Sequence, residues 1–295
     1  MFLRNMKILL IGKTGQLGGD ILKNGKQYDI YAPDREVLDI TSEEKLEVEI
    51  SSYKPNVVIN TAAFHNVPLC EEEFEKAFLV NCIAVKNMAE MCRERKSLFV
   101  TFSSDYVFSG EKREPYLEED PVFPLQGYGI SRVAGEFSAM ALGQGQAVVI
   151  RTCGLYGMFG AKSKGGNFVD KRIEEAQVKR DIEMSCDQTV SPTYTDDLSR
   201  AVLSLVSHPD LKSGIYHLVN EGECTWYEFT KTVYEMMGFK NEVRPVDRGG
   251  LTGSMKRPLY SVLKNTKGKA LGIVLPHWRD ALFRYLKTKY RTSFM

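Results

Sequence analysis

Short apolar runs alternate with longer segments of mixed polarity through the first half of the chain. The apolar runs predict strands, and the segments between them predict helices. The predicted strands are Lys7–Ile11, Tyr28–Tyr31, Asn56–Asn60, Leu98–Phe102 and Ala147–Arg151, and the predicted helices are Gly15–Asn24, Ser42–Ser52, Glu72–Arg95 and Gly127–Leu142. Strands that alternate with helices need right-handed crossovers, so this pattern predicts a parallel sheet covered by helices on both faces.

The alternation loosens after Arg151. Glycines between Gly154 and Gly166 indicate an excursion from the sheet, and a helix at Asp196–Ser207 with a strand at Gly214–Val219 predicts a return to it. We therefore expect an α/β chain with a Rossmann-type doubly wound domain over 1–152, with a return to the sheet at 193–222. A smaller, discontinuous C-terminal substrate lobe is expected over 153–192 and 223–295, above the carboxyl ends of the strands where ligands bind.

The composition excludes several classes of protein. With 43% hydrophobic and 26% charged residues the chain is typical of ordered globular proteins, and a net charge of +1 without a basic stripe predicts no nucleic-acid partner. No apolar run approaches the ~18 residues of a membrane helix, and strand-like residues begin too early for a signal peptide. Six scattered cysteines without a C-x-x-C pair and four dispersed histidines predict reduced thiols and no metal site. These features favour the cytoplasm.

A glycine motif follows the first predicted strand and opens the first predicted helix. It contains Gly12, Thr14, Gly15, Gln16, Leu17 and Gly18, with the spacing G-x-x-G-x-x-G that is typical of short-chain dehydrogenases. Glycines let the backbone approach a pyrophosphate, whose charge the helix N-terminus stabilises. The alternative is an ordinary helix cap. We expect a cofactor loop, in which a side chain at Gly15 would collide with the phosphates or force a costly φ angle.

The end of the second predicted strand bears on the choice of cofactor. Asp34 offers a carboxylate to a ribose 2′-hydroxyl, whereas Arg35 offers a guanidinium to a 2′-phosphate. The alternative is a surface loop without a role. We favour NADP through Arg35, with NAD as the second candidate.

Groups suited to carbonyl reduction follow the fourth strand and open the next helix. The reaction needs a donor that polarises the carbonyl oxygen and an acid that protonates it, roles open to Ser104 and Tyr128. A phenol serves as this acid when a cation stands nearby. Tyr128 and Arg132 are four residues apart, so they share a helix face and can point at one site. In the alternative, Tyr128 is a half-buried helix residue and Arg132 pairs with Glu136, also four residues away.

The chain resembles the dTDP-4-dehydrorhamnose reductases almost from end to end. The most specific matching motifs are Ser104-Asp-Tyr-Val-Phe108, Tyr128-Gly129 and Arg257-Pro258; other matching stretches are Gly12–Gly18, Leu38–Thr41, Asn60–Ala63, Val80-Asn81, Arg151-Thr152, Tyr156-Gly157, Asn167–Val169, Asp187-Gln188, Ser191–Thr193, Gly214–His217, Thr225-Trp226, Leu275-Pro276 and Trp278-Arg279. Members of this family reduce the 4-keto group of a dTDP-6-deoxyhexose, which completes dTDP-L-rhamnose.

The resemblance also implies individual roles. Adenine contacts would fall on Asp39 and Ile40, and contacts to the rest of the cofactor on Ala62 and Ala63. Tyr128 and Arg132 would serve both cofactor and catalysis, with Ser104 as the hydroxyl donor. The substrate would lie against His65, Val67, Ser104, Asp105, Tyr106, Asn167 and Arg257. Competing interpretations are that Asn167 caps a helix, that Arg257 is a surface charge and that His65 is a hydrogen-bonded structural residue.

Three departures from the family pattern concern the site. The lysine four residues after the family's tyrosine is replaced by Arg132. A tryptophan usual after the Arg151-Thr152 pair is missing, and Cys153-Gly154 stand there. His65 occupies a position where threonine is common. The last two departures would reshape the sugar pocket, so they affect the substrate more than the reaction class.

We therefore expect an NAD(P)H-dependent oxidoreductase that reduces a nucleotide-linked 4-keto-6-deoxy sugar, with dTDP-4-dehydrorhamnose as the leading substrate. A homodimer is compatible with the sequence. One alternative is a non-catalytic NADP-binding regulatory subunit, which would bind cofactor without turnover. Another is a sugar-nucleotide epimerase or dehydratase, which would retain its cofactor through the cycle.

Overall fold

A computed structural model describes residues 6–160, 166–178, 181–252 and 255–290. The strands are β1 Lys7–Ile11, β2 Asp29–Tyr31, β3 Val57–Asn60, β4 Leu98–Ser104, β5 Ala147–Thr152, β6 Leu155–Tyr156, β7 Asp181–Ser185, β8 Thr189–Val190, β9 Thr193–Tyr194, β10 Gly214–His217, β11 Cys224–Thr225, β12 Glu242–Val246, β13 Leu251–Thr252 and β14 Met255–Lys256. The helices are α1 Gln16–Asn24, α2 Glu43–Tyr53, α3 Val67–Glu72, α4 Phe74–Phe78, α5 Ala84–Glu94, α6 Gly127–Gly143, α7 Phe168–Val178, α8 Thr195–Val206, α9 Trp226–Met237, α10 Lys267–Ala270 and α11 Trp278–Tyr290. Part of the predicted glycine-rich excursion, residues 161–165, lies outside the described residues.

Six parallel strands form the central sheet in the order β10-β5-β4-β3-β1-β2. The chain passes from β1 to β2 on one side and then returns to β3 on the other, so the topological switch point lies beside β1. Ligands of doubly wound sheets bind at that point, outside the carboxyl ends of the strands. The predicted α/β class with a Rossmann-type sheet is confirmed.

The sheet is buried on both faces because successive side chains of each strand point to opposite sides. Ile8 and Leu10 of β1 pack with α1 and α8, whereas Leu9 and Ile11 pack with α2, α5 and α6. A separate apolar cluster joins α7, α9 and α11 in the C-terminal part of the chain. The domain boundaries drawn from the sequence stay a prediction.

The predicted helix Glu72–Arg95 is wrong as a single element. The chain instead forms α3, α4, a π-helical turn at Leu79–Ile83, and α5. Glu73 leaves the helical region with φ −112° and ψ 53°, which separates α3 from α4. The π turn widens the helix where the buried side chain of Asn81 bonds to its neighbours, a contact that periodicity does not reveal.

No helix among the described residues is long and apolar enough to cross a membrane. The six cysteines form no disulfide, and all but Cys186 are buried.

Candidate active site

The glycine loop between β1 and α1 is packed against the loop that follows β3. Gly12 has a φ angle of 90°, and a Cβ atom there would lie 2.5 Å from the Thr61 Oγ1 and 3.0 Å from the Ala62 backbone N. The Thr61 hydroxyl in turn donates to the Ile11 carbonyl at 2.8 Å. Only glycine fits this position, and the contact brings Ala62 and Ala63 beside the glycine loop.

Helix α1 begins at the end of this loop without a side-chain cap. Gly15 occupies the N-cap position and has no side chain that could cap the first turn. The first N–H groups of a helix have no intrahelical acceptor, so those of Gln16, Leu17 and Gly18 are available to an anion. Gly15 itself has a φ angle of −78°, an ordinary value. The expectation that a side chain there forces a costly φ angle is therefore wrong, and only the expected collision with phosphates stays open.

Two cations and two carboxylates lie beyond the end of β2. The Lys13 Nζ lies 3.1 Å from the Asp34 Oδ2, and the Arg35 Nε lies 3.4 Å from the Asp39 Oδ2. The backbone N–H and the hydroxyl of Thr41 both donate to the Asp39 carboxylate and hold its pKa below the usual range. Neighbouring Ile40 is buried in the core. Lys13 was missed from the sequence because it occupies a variable position of the glycine motif.

Tyr128 and Arg132 lie on one face of α6, as their spacing predicts. The Arg132 guanidinium carbon lies 5.2 Å from the centroid of the Tyr128 ring, and its Nη1 donates to the Phe102 carbonyl at 3.1 Å. Glu136 does not pair with Arg132, because its carboxylate receives two hydrogen bonds from Arg151 at 2.9 and 2.7 Å. The surface ion pair considered from the sequence is therefore absent, and Arg132 is buried beside Tyr128.

Ser104 ends β4 and caps the short 3₁₀ turn that follows. Its Oγ accepts the Tyr106 N–H at 3.2 Å and donates to the Asp105 carboxylate at 2.9 Å. Asp105 also accepts hydrogen bonds from Ser261 at 2.6 Å and from the Cys153 thiol at 3.1 Å. Burial raises the pKa of Asp105. The structure thus places Asp105 in a buried network behind Ser104, where its oxygens are already bonded.

Tyr106 connects Tyr128 to the far side of the cleft. The Tyr106 and Tyr128 rings meet edge to face at 6.1 Å, and the Arg257 guanidinium carbon lies 6.0 Å from the Tyr106 ring centroid. Burial raises the pKa of Tyr106, while the charge of Arg257 opposes the shift. The Arg257 Nε is buried without a hydrogen-bond partner among the described residues. This arrangement leaves Arg257 with a donor for an anionic group.

The loop after β3 lies on a further side of the candidate site, next to Tyr128. Val67 packs against the cluster that contains Tyr128, and half-buried His65 places its Nδ1 3.3 Å from the Ala63 carbonyl. Asn81 fixes this loop, because its side chain accepts from the Phe64 N–H at 2.9 Å and donates to the Phe64 carbonyl at 2.8 Å. It also donates to the hydroxyl of Ser131, which lies between Tyr128 and Arg132 in α6. The matching Val80-Asn81 dipeptide could have indicated Asn81.

The side-chain contacts of Asn167 and the surroundings of Gly154 bear on two of the sequence interpretations. The Asn167 side chain accepts the Asp170 N–H at 3.0 Å, and its amide N donates to Gly157, Asp170 and Tyr285. The structure therefore shows the helix cap that the sequence left as the alternative, with both polar atoms used within the protein.

At Gly154, φ is 55°, and a Cβ atom would lie 3.2 Å from the Trp226 ring. The indole of α9 therefore packs over this glycine.

A doubly wound sheet, a glycine loop after β1, and a serine, a tyrosine and a basic residue at one edge define a reductase of the extended short-chain dehydrogenase type. A family model described as the RmlD substrate binding domain matches residues 6–291. The spore coat polysaccharide biosynthesis protein SpsK of Bacillus subtilis (strain 168) is 36% identical over 285 residues, which cover 96% of this chain and 98% of that protein. The dTDP-4-keto-6-deoxy-D-glucose reductase of Streptomyces niveus is 32% identical over 278 residues, covering 93% and 94%.

Solved structures show the same relationship. The crystal structure of dTDP-4-dehydrorhamnose reductase from Bacillus anthracis str. Ames in complex with NADP matches with a TM-score of 0.90 and 31% identity, covering 96% of this chain and 99% of that one. The chain belongs to the dTDP-4-dehydrorhamnose reductase family, and the resemblance found in its sequence is confirmed.

Proposed function

We propose that this protein is an NADPH-dependent reductase of a dTDP-linked 4-keto-6-deoxyhexose, with dTDP-4-dehydrorhamnose, converted to dTDP-L-rhamnose, as its leading substrate. The observation that carries the proposal is the burial of Arg132 beside Tyr128, with Glu136 occupied elsewhere. The full-length similarity to sugar-nucleotide reductases, one of them solved with NADP, supports the substrate class and the cofactor.

The residues present suit a dinucleotide. The uncapped N-terminus of α1 offers N–H groups to a pyrophosphate, and the contact of Gly12 with Ala62 brings two loops to the same edge of the sheet. Ala63 follows Ala62 in that loop. Asp39 and Ile40 would border the adenine, and Lys13 with Arg35 would face a 2′-phosphate. When bound, the nicotinamide supplies the hydride.

The protein groups then manage the proton and the carbonyl oxygen. Tyr128 gives its hydroxyl proton to the oxygen, and the positive charge of Arg132 favours the anion that remains. Ser104 holds the same oxygen once its proton turns from Asp105 to the substrate. In the structure that proton is donated to the Asp105 carboxylate, whose pKa is raised by burial.

The sugar nucleotide would occupy the cleft between the β3 loop and Arg257. His65, Val67 and Tyr106 would line the sugar, and the Nε of Arg257, which has no hydrogen-bond partner among the described residues, would serve the diphosphate. Asp105 would act on the reaction only through its hydrogen bond with Ser104, without contacting the sugar. Asn167 would act only through the fold, because its amide is already bonded.

The test is an assay with NADPH and dTDP-4-keto-6-deoxy-L-lyxo-hexose, followed by loss of nicotinamide absorbance. We expect one oxidised cofactor released for each sugar reduced. Tyr128→Phe is the matched control, because it keeps the ring that packs on Tyr106 and removes only the hydroxyl. Binding of NADPH without turnover would instead indicate a regulatory subunit, and turnover with retained cofactor would indicate an epimerase or dehydratase.

We also infer a cytoplasmic homodimer. The lack of a disulfide among the six cysteines supports a reducing compartment. Exposed apolar side chains of α6 and the adjoining π turn, Ile130, Phe137, Leu79 and Ile83, form an apolar surface on neighbouring helices that a second copy can cover. Light scattering should give a dimer mass for the native chain and a monomer mass for Phe137→Asp.

A further inference from the structure

A small cavity adjoins Arg132, and Tyr128 is not among its lining residues. It sits between β4, β5, α6 and the π turn, and its polar lining comes from Asn81, Thr101, Ser103, Arg132 and Glu136. The space open to the centre of a water molecule is about 10 Å³. A volume on the order of 10–15 Å³ by this measure holds one water.

Three buried polar atoms of this lining have no hydrogen-bond partner among the described residues. They are the Arg132 Nε, the Thr101 Oγ1 and the Ser103 Oγ. All three side chains are more than nine-tenths buried, with exposures of 7%, 3% and 5%. Thr101 and Ser103 are two residues apart in β4, so their side chains lie on the same face of the sheet. Buried polar groups are rarely left unpaired, and a water needs two to four such partners.

We propose that this cavity is a binding site for one structural water, which fixes the guanidinium of Arg132. The water accepts the Nε–H and one hydroxyl proton, and it donates to the other hydroxyl. Thr101 and Ser103 are thereby positioning residues, because they act on the reaction only through Arg132.

The water completes an anchor that the structure shows in part. The Arg132 Nη1 is held by the Phe102 carbonyl on the same strand, at 3.1 Å. With Nε held by the water, two of the three guanidinium nitrogens are fixed to β4. The remaining nitrogen, Nη2, makes no hydrogen bond to a residue that the structure describes. A planar guanidinium gains more from such a two-point anchor than a lysine ammonium does.

The water itself is tested by a high-resolution crystal structure, whether or not the protein turns over the proposed sugar. We expect a buried solvent peak at about 2.7–3.2 Å from each of the three atoms. A dry cavity in a map that resolves other buried waters overturns the proposal. Absence of turnover in the wild type would reject the proposed function and leave this test intact.

The positioning role rests on the proposed function and is tested by Thr101→Val and Ser103→Ala, separately and together. The double variant should lose about tenfold in kcat, while KM for the sugar and Kd for NADPH change less than about twofold. Thr101→Ser keeps the hydroxyl and should restore kcat. Ser97→Ala and Thr232→Val remove buried hydroxyls outside the site and should leave kcat unchanged. A double variant that folds and keeps wild-type kcat overturns the role; if it fails to fold, comparison of Thr101→Val with Thr101→Ser decides.

Discussion

The glycine loop between β1 and α1 and the proposed catalytic wall, formed by Ser104, Asp105, Tyr128 and Arg132, are held in place by different groups. In the glycine loop, Gly12 and the uncapped N-terminus of α1 offer backbone groups to a ligand. The side chain packed most closely against Gly12 is that of Thr61, whose hydroxyl donates to the Ile11 carbonyl. In the wall, the Ser104–Asp105 pair depends on Ser261, far along the chain. A backbone site depends on local geometry, whereas a side-chain site depends on several distant residues at once. Substitutions should therefore affect cofactor affinity in the loop and kcat in the wall.

Arg132→Ala should lower kcat more than any other substitution proposed for the site. It removes the charge beside Tyr128, and losing one such electrostatic group typically lowers kcat by about 10²-fold. Arg132→Lys should keep kcat within a few fold, since the charge survives. Steady-state kinetics with NADPH and the keto-sugar measure both, and the affinity for NADPH from fluorescence titration serves as the control. An Arg132→Ala enzyme as fast as the wild type would remove Arg132 from the catalytic wall.

A matched pair of glycine variants tests the loop. Gly12→Ala forces a side chain to φ 90° and against Thr61, so it should cost about 1–3 kcal/mol of stability and weaken NADPH binding. Gly15→Val keeps an ordinary φ angle, so it should stay folded and lose NADPH binding by collision with the phosphates. Thermal unfolding and calorimetric titration separate the two outcomes. Unchanged affinity in Gly15→Val would contradict a pyrophosphate at this helix end.

The sequence could predict the loop more fully than the wall. Strand periodicity and the glycine spacing are local, so the sheet, the cofactor loop and the Tyr128–Arg132 face follow from neighbouring residues. The bond between Asp105 and Ser261 joins positions 156 residues apart, and no pattern along the chain indicates it. The cap formed by Asn167 likewise depends on Tyr285 from α11. Spacing along the sequence therefore leaves both interpretations of Asn167 open, because the deciding contact with Tyr285 comes from a distant part of the chain.

A pH experiment concerns His217, a buried residue of β10 that contacts Arg151. Burial, and then the charge of Arg151, lower the pKa of His217 to about 4, below the value of about 6.5 for an unfolded histidine. The neutral ring is bonded at both nitrogens, to the Tyr116 carbonyl and to Arg151. Its stabilising contribution is therefore complete above about pH 6.5 and is lost as the pH falls towards 4.

We expect the wild type to lose about 2 kcal/mol of unfolding free energy through His217 between about pH 6.5 and pH 5. His217→Gln keeps polar atoms for the same partners and cannot titrate, so its stability should vary less over this range. Denaturant unfolding at several pH values measures the slope. Equal slopes in the two proteins would assign the pH dependence to other groups.

The smallest expected effect concerns the one part of the cofactor region that uses exposed side chains. The Arg35 side chain is 82% exposed and Lys13 is paired with Asp34, so their attraction to a 2′-phosphate is weakened by solvent and salt. Arg35→Ala should raise KM for NADPH by about three- to tenfold, a change of about 1 kcal/mol, and leave KM for NADH unchanged. Lys13→Ala should act in the same direction, both because the cation is lost and because the freed Asp34 carboxylate repels the phosphate. The ratio of kcat/KM for NADPH and NADH, measured at low and high ionic strength, should fall in both variants and fall least at high salt. A ratio that does not change at either ionic strength would mean that backbone groups alone, as elsewhere in the loop, select the cofactor.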